Sequence, residues 1–345
     1  MIKINSDEIK KILCIKPRGI GDIVLSTIVL ENLAAYFPSV KVDYLVEDFA
    51  KESLQNNPLV NEILTMRQAE FPLKVALRIR KEKYNLILDL WSNPRSAQIT
   101  FLSGVKYRVG FAYRGRRYAY NILASSSRGN HHSAEHNLEL LKPLDIPVIS
   151  KKIHYYVSEK DNSAGKEFIL NNFTANESVI GIIPSGGWAS KRCDASKWVE
   201  ICEAISSTYK SKFLILWGPG DEEDANYIKS HLPEKAILAP ATDLSSMSGL
   251  INNCTIVLAN DSGPMHISAA LGIPTLGLFG PTNPKMHGPY SDKSDYVIKD
   301  DLFCIICNLQ QCRYKHECFI DLSLEIILGK VESLIKKNNL SPVKR

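Results

Sequence analysis

Asp22 follows Gly19-Ile20-Gly21 and opens an apolar helical run, so its carboxylate stands at a helix N-terminus with little side-chain bulk in front of it. Such a carboxylate is either an N-cap or a general base that takes a proton from a hydroxyl. An N-cap alone leaves the glycine pair unexplained. A second stretch, Pro184-Ser185-Gly186-Gly187-Trp188-Ala189-Ser190-Lys191-Arg192, opens the backbone with two glycines and offers hydroxyls at Ser185 and Ser190 and positive charge at Lys191 and Arg192. That set suits a diphosphate leaving group, the plain alternative being a solvated loop with two surface cations. It does not match the Walker pattern GxxxxGK[ST]. The third stretch, Asn260-Asp261-Ser262-Gly263-Pro264-Met265-His266, ends an apolar run in a carboxylate and turns at once into a helix opened by Gly-Pro. Free backbone N–H groups and a positive dipole end then face whatever lies in front of Asp261, Ser262, Gly263 and His266. Asp221 and Glu222, after Trp217-Gly218, could hydrogen-bond ribose hydroxyls or simply meet the dipole of their own helix.

Each stretch begins where a short apolar run stops, which tells what must position it. Runs at 12–15, 42–46, 62–64, 86–90 and 107–111 read as strands, with helical spacing at 23–37, 72–83 and 96–103 between them. The pattern breaks over the polar residues 125–133, resumes as a helix over 134–144, and restarts with strands at 179–183, 213–217, 255–259 and 275–279. This alternation predicts mostly parallel, doubly wound α/β sheets. The chain length of 345 residues fits two such domains, 1–155 and 156–345, with the last helix free to pack back on the first. Ligands bind such sheets at the carboxyl ends of the strands, so a cleft faced by both domains is the expected site.

Composition narrows the class without naming a substrate. Apolar residues make up 45% and charged residues 23%, which excludes a disordered or fibrous chain. No apolar run reaches the roughly 20 residues needed to cross a bilayer, and the charged start does not resemble a signal peptide, so a cytosolic protein is expected. The net charge of +5 lies in the first half, where residues 1–150 hold 21 Lys and Arg against 15 Asp and Glu. From Ser103 to Ala134 stand Lys106, Arg108, Arg114, Arg116, Arg117 and Arg128 with no acid among them. No nucleic-acid motif accompanies these cations, so an anionic glycolipid and an anionic membrane surface are the better-matched partners.

Pro17-Arg18-Gly19-Ile20-Gly21-Asp22, the run Pro184 to Arg192, and Asn260-Asp261-Ser262-Gly263-Pro264-Met265-His266 with Phe279-Gly280-Pro281-Thr282 closely resemble the lipopolysaccharide heptosyltransferases, glycosyltransferase family nine. The resemblance implies a GT-B fold of two Rossmann-like domains, the first binding acceptor and the second a nucleotide-sugar donor. It implies inverting transfer of a heptose from ADP-heptose to the lipopolysaccharide inner core, with no metal or other cofactor. By it Asp22 is the base and Lys191 the diphosphate-contacting lysine, while Asp261, Ser262, Gly263 and His266 form the donor motif. Ser185, Gly186, Gly187 and Glu222 join the donor site, and Arg18, Arg95, Arg114 and Arg117 are candidates for the acceptor. Arg192-Cys193-Asp194 departs from the commoner Arg-Trp-Pro, and Thr27-Ile28 lacks a frequent proline. A nucleotide-sugar epimerase and a non-catalytic nucleotide-sugar binding protein are the rival readings.

Cys304, Cys307, Cys312 and Cys318 cluster near the end. One CxxC followed by two more widely spaced thiols is not a double CxxC, so reduced structural thiols are expected, with a structural zinc as the minority alternative.

Overall fold

The apolar runs become two six-stranded sheets, and every strand pairing given by the register is parallel. The structure, a computed structural model, describes residues 4–127, 129 and 131–340, so Arg128 of the basic stretch and the extreme ends of both expected domains lie outside the described residues. The chain divides into two compact units between Tyr156 and Val157.

The first unit carries β1 (Lys11–Ile15), β2 (Lys41–Glu47), β3 (Glu62–Met66), β4 (Leu86–Asp89), β5 (Tyr107–Phe111) and β6 (Ile122–Ala124), in the order β3-β2-β1-β4-β5-β6. The second carries β7 (Ser178–Ile183), β8 (Ser211–Ile215), β9 (Ala236–Leu238), β10 (Ile256–Asn260), β11 (Thr275–Phe279) and β12 (Asp295–Ile298), in the order β12-β11-β10-β7-β8-β9. Counted from each unit's own first strand, the two orders are the same. In both, the chain reverses its direction of growth between the first and fourth strands: β1 beside β4, and β7 beside β10. Crevices at the carboxyl ends of such a strand pair are where doubly wound folds take ligands.

The central strands are buried on both faces, as parallel strands under two helical layers must be. Ile12, Leu13, Cys14 and Ile15 of β1 are fully buried, and β10 is buried along its whole length. In the second unit, Trp198, Phe213 and Ile228 join Leu258 and Leu278 in one core. Local signals set the helix starts. Asn93 and Ser96 form a capping box ahead of helix Pro94–Ser103, which stops at left-handed Gly104. Ser158, Asp243 and Ser323 cap the helices Glu159–Asn172, Leu244–Asn252 and Leu324–Lys337.

The helix anticipated over 134–144 is helix Ser133–Leu138, after which the N–H groups of Glu139, Leu140 and Leu141 bond three residues back, and a separate 3-10 turn, Lys142–Leu144, carries Pro143. Helix Leu324–Lys337 buries Ile327, Val331 and Leu334 in the second unit's core. Among the described residues, no helix is long and apolar enough to cross a membrane.

Candidate active site

In the first unit the crevice between the ends of β1 and β4 is built around Asp22. Helix Ile20–Ser26 places Asp22 in its first turn, and Gly19 turns the chain with φ +84°. A Cβ at Gly19 would lie 2.7 Å from Asp22 Oδ2, so the position requires glycine both for its backbone and for its closeness to the carboxylate. The Asp22 side chain is 46% exposed and its Oδ1 lies 3.6 Å from Lys16 Nζ. Lys16 is itself buried. Its ammonium donates to the Leu90 carbonyl at 3.3 Å and sits 4.7 Å from the centre of the Trp91 ring, which ties the end of β1 to the turn after β4. That turn is rigid because Asp89, fully buried, accepts from the Trp91 and Ser92 N–H groups and from the Tyr120 hydroxyl. Burial pushes the Asp89 carboxyl above its ordinary range.

The buried carboxylate of Glu47, at the end of β2, gathers two guanidinium groups. Arg18 Nε lies 3.4 Å from one oxygen and Arg95 Nη1 lies 3.3 Å from the other. Arg95 also donates to the Arg67 and Glu70 carbonyls, at 2.6 and 2.8 Å. The guanidinium of Arg95 is therefore held within the fold. Arg114 and Arg117 are exposed. The rest of the basic stretch is largely engaged. Lys106 pairs with Glu8, Arg108 donates to the Val105 and Ala119 carbonyls, and Arg116 donates to Ser92 O.

The second unit repeats the arrangement between the ends of β7 and β10. Asn260 Nδ2 donates to Pro184 O at 2.7 Å and joins the two strand ends. The 3-10 turn Ala189–Lys191 then brings Lys191 Nζ to 2.7 Å from Asp261 Oδ2, with the ammonium 4.0 Å from the centre of the Trp188 ring. Thr282 Oγ1 donates to the same oxygen at 2.6 Å. Lys191 and Asp261 are 13% and 8% exposed at the side chain, so the pair is largely shielded from water. Asp261 leads into Ser262, the N-cap of helix Gly263–Ala270, which buries His266 one turn in. The Ser262 hydroxyl is buried and has no hydrogen-bond partner among the described residues. Leaving such a group unsatisfied costs about 1–3 kcal/mol, so a polar ligand at this N-terminus would find a donor ready.

Beside this pair lies a second hub. Asp221 is buried and accepts from Ser185 Oγ at 2.6 Å and from Gly218 N at 3.2 Å, while Arg192 Nη2 stands 3.0 Å from its other oxygen. It binds the loop after β7 to the loop after β8. Gly186 is needed because a Cβ there would lie 2.9 Å from Arg192 Cγ and 3.1 Å from the Lys191 carbonyl carbon; Gly187 meets no such neighbour. Glu222 is exposed and folds back to accept from Gly220 N–H at 2.8 Å, the helix-start role that the sequence left open beside a ribose contact. Ser190 is not a donor-site hydroxyl: it is buried and donates to Leu309 O.

Leu309 belongs to the cysteine-bearing segment, which explains part of what that segment does. Ser190 N donates to Gln310 O, Ile306 N to Gly280 O and Asn308 N to Pro281 O. The segment thus braces both turns that deliver Lys191 and Thr282. Its four cysteines are free and border one small pocket. Burial raises the thiols of Cys304 and Cys318, the latter to about 12, which favours the protonated form. Among the described residues no group of three or more His, Cys, Asp or Glu is arranged to hold a metal ion.

The profile of glycosyltransferase family 9 (heptosyltransferase) matches residues 73–317, well over half of the chain. The chain belongs to glycosyltransferase family 9. This family 9 enzyme is 26% identical over 347 residues to lipooligosaccharide heptosyltransferase 2 of Haemophilus influenzae, a match covering 94% of this chain and 99% of the relative. Among solved structures it is similar to a family 9 glycosyltransferase from Veillonella parvula, with a TM-score of 0.81 and 21% identity over 95% of this chain and 97% of that one. It is also similar to E. coli ADP-heptose lps heptosyltransferase II, with a TM-score of 0.78 and 22% identity over 95% and 99%. These likenesses fix the fold as GT-B. The residues at these strand ends that sequence reasoning passed over are Lys16 and Glu47; Thr282 stood only as the last residue of the quoted Phe279 to Thr282 motif, with no role given to it.

Proposed function

We propose that this glycosyltransferase moves a heptose from ADP-heptose to an acceptor of the lipopolysaccharide core, with inversion at the anomeric carbon and without a metal. The observation that carries the reading is the shielded Lys191–Asp261 pair beside the open N-terminus of helix Gly263–Ala270. The donor diphosphate lies against Lys191, the Ser262 hydroxyl and the backbone N–H groups of Gly263 and its neighbours, with His266 behind them. Ser185, Gly186 and Gly187 line the loop that lets the phosphates approach. Asp221 and Glu222 hold that loop's neighbour in place.

Asp22 accepts the proton of the acceptor hydroxyl as the hydroxyl oxygen attacks the anomeric carbon. The bond from that carbon to the diphosphate oxygen breaks in the same displacement, and the electron pair leaves with the diphosphate. Lys191 and the helix N-terminus stabilise the charge that develops there. A single displacement inverts the anomeric centre and needs no enzyme nucleophile. The carboxylates at the donor site are already engaged by Lys191, Arg192, Thr282 and Ser185, which supports charge stabilisation by protein cations and not by a carboxylate-bound metal. Arg18, Arg114 and Arg117 are the cations offered to an anionic glycolipid acceptor, and the enzyme works at the cytoplasmic face of the membrane that holds it.

The test is incubation with ADP-heptose and a core oligosaccharide in the presence of EDTA. The product should gain one heptose by mass spectrometry, with inverted anomeric configuration by NMR. Retention of configuration, or loss of transfer with EDTA and rescue by a divalent cation, would contradict the mechanism. Conversion of the donor in the absence of acceptor would favour an epimerase instead.

A further inference from the structure

Helix Pro72–Lys81 presents two faces of different character. Val75, Ala76 and Ile79 are buried, Val75 and Ile79 within the first unit's core. On the other face Leu73 and Leu77 are 41% and 47% exposed, and Phe71 just before the helix is 71% exposed. Leu73 and Leu77 stand one turn apart on one stripe, and exposed Lys74, Arg78 and Lys81 flank it. Arg80 is turned aside to the Leu102 and Ser103 carbonyls.

The acids nearby offset only part of this charge, and Lys74 and Lys81 are left over. Glu70 is held by Arg78 at 3.0 Å and by the Arg67 N–H, and Glu82 by Lys11 at 2.8 Å. Asp48 lies on the wall of a groove of about 720 Å³ that opens between the end of β3 and this helix. From Arg67 to Lys83 six Lys and Arg face two acids. Exposed apolar side chains ringed by cations are unfavourable against water and against a second, equally cationic copy of the chain, but complementary to a surface that is apolar beneath and anionic on top.

We propose that this face docks the enzyme on an anionic bilayer, with Phe71, Leu73 and Leu77 entering the headgroup region and Lys74 and Lys81 meeting lipid phosphates. The inference deepens the proposed function and rests on its reading of a lipid-linked acceptor. It gives the helix a role beside its part in the core: it brings the first unit to the surface where such an acceptor is held. Leu73 and Leu77 take no part in the chemistry at Asp22.

The test is sedimentation of the full chain with vesicles of phosphatidylcholine containing phosphatidylglycerol and with vesicles of phosphatidylcholine alone. The parent should bind the anionic vesicles, weaken as salt rises, and bind the neutral ones poorly. The double variant L73E/L77E should lose at least about tenfold in binding to the anionic vesicles, through lost apolar burial and added repulsion. K74E/K81E should also bind more weakly and with a flatter salt dependence. Both variants should keep the parent's melting temperature and its rate of transfer to a water-soluble acceptor. The proposal is overturned if the parent does not bind anionic vesicles, if L73E/L77E binds them as the parent does, or if the leucines instead mediate a dimer in sedimentation velocity. Transfer to the soluble acceptor tests the proposed function separately, since it needs no membrane.

Discussion

At the scale of single residues, Lys191 has two duties that one substitution would confound. It neutralises Asp261, a carboxylate 8% exposed at the side chain, and in the proposed function it is also the cation offered to the donor diphosphate. Breaking a shielded ion pair from one side leaves the other charge uncompensated and costs about 3–5 kcal/mol. Lys191→Met should therefore lower the melting temperature and weaken donor binding together. Adding Asp261→Asn removes the stranded charge, so K191M/D261N should recover most of the lost stability while donor binding stays weak, as calorimetry and isothermal titration would report. Full donor affinity in K191M would remove Lys191 from the site. Lys16 illustrates why residues of this kind are hard to read from sequence. It looks like the first polar residue after an apolar run, and its partners Leu90 and Trp91 lie 74 and 75 positions further on.

At the scale of elements, the turn that delivers Asp22 matters more than the helix that follows it. Gly19 adopts a left-handed φ of +84°, and a Cβ there would press on Asp22 Oδ2. Gly19→Ala should cost stability on the order of 1–2 kcal/mol in backbone strain. Because a displacement of about 1 Å at a reacting group can cost about 10²-fold in rate, kcat should fall much further than the stability loss explains, with donor KM unchanged. Steady-state kinetics beside a thermal melt checks this, and parental kcat in G19A would contradict it. The central elements were legible because parallel strands buried on both faces read as continuous apolar runs ending in glycine turns. β6, β9 and β12 were not, since they are three- or four-residue edge strands with too few apolar positions to show a period. The cationic stretch from Ser103 to Ala134 read as one basic surface, whereas most of its described cations satisfy carbonyls or pair with Glu8. The cationic amphipathic face of Pro72–Lys81 was legible only as a helix.

At the scale of the whole molecule, two units with one strand order each place their polar residues where that order reverses: Asp22 and Lys16 beside β4 in the first, Lys191, Asp261 and Ser262 beside β7 and β10 in the second. In the proposed function, proton transfer falls to the first unit and the donor to the second. These duties are separable by experiment because no residue serves both. The most direct test is Asp22→Asn, which keeps the size of the side chain and its place in the helix while removing its ability to take a proton. Isothermal titration with ADP-heptose and single-turnover transfer should be measured on the same preparation. Donor affinity should stay within about twofold of the parent while the transfer rate falls by about 10²–10⁴-fold, the usual contribution of a general base. Transfer at the parental rate in D22N would contradict that role.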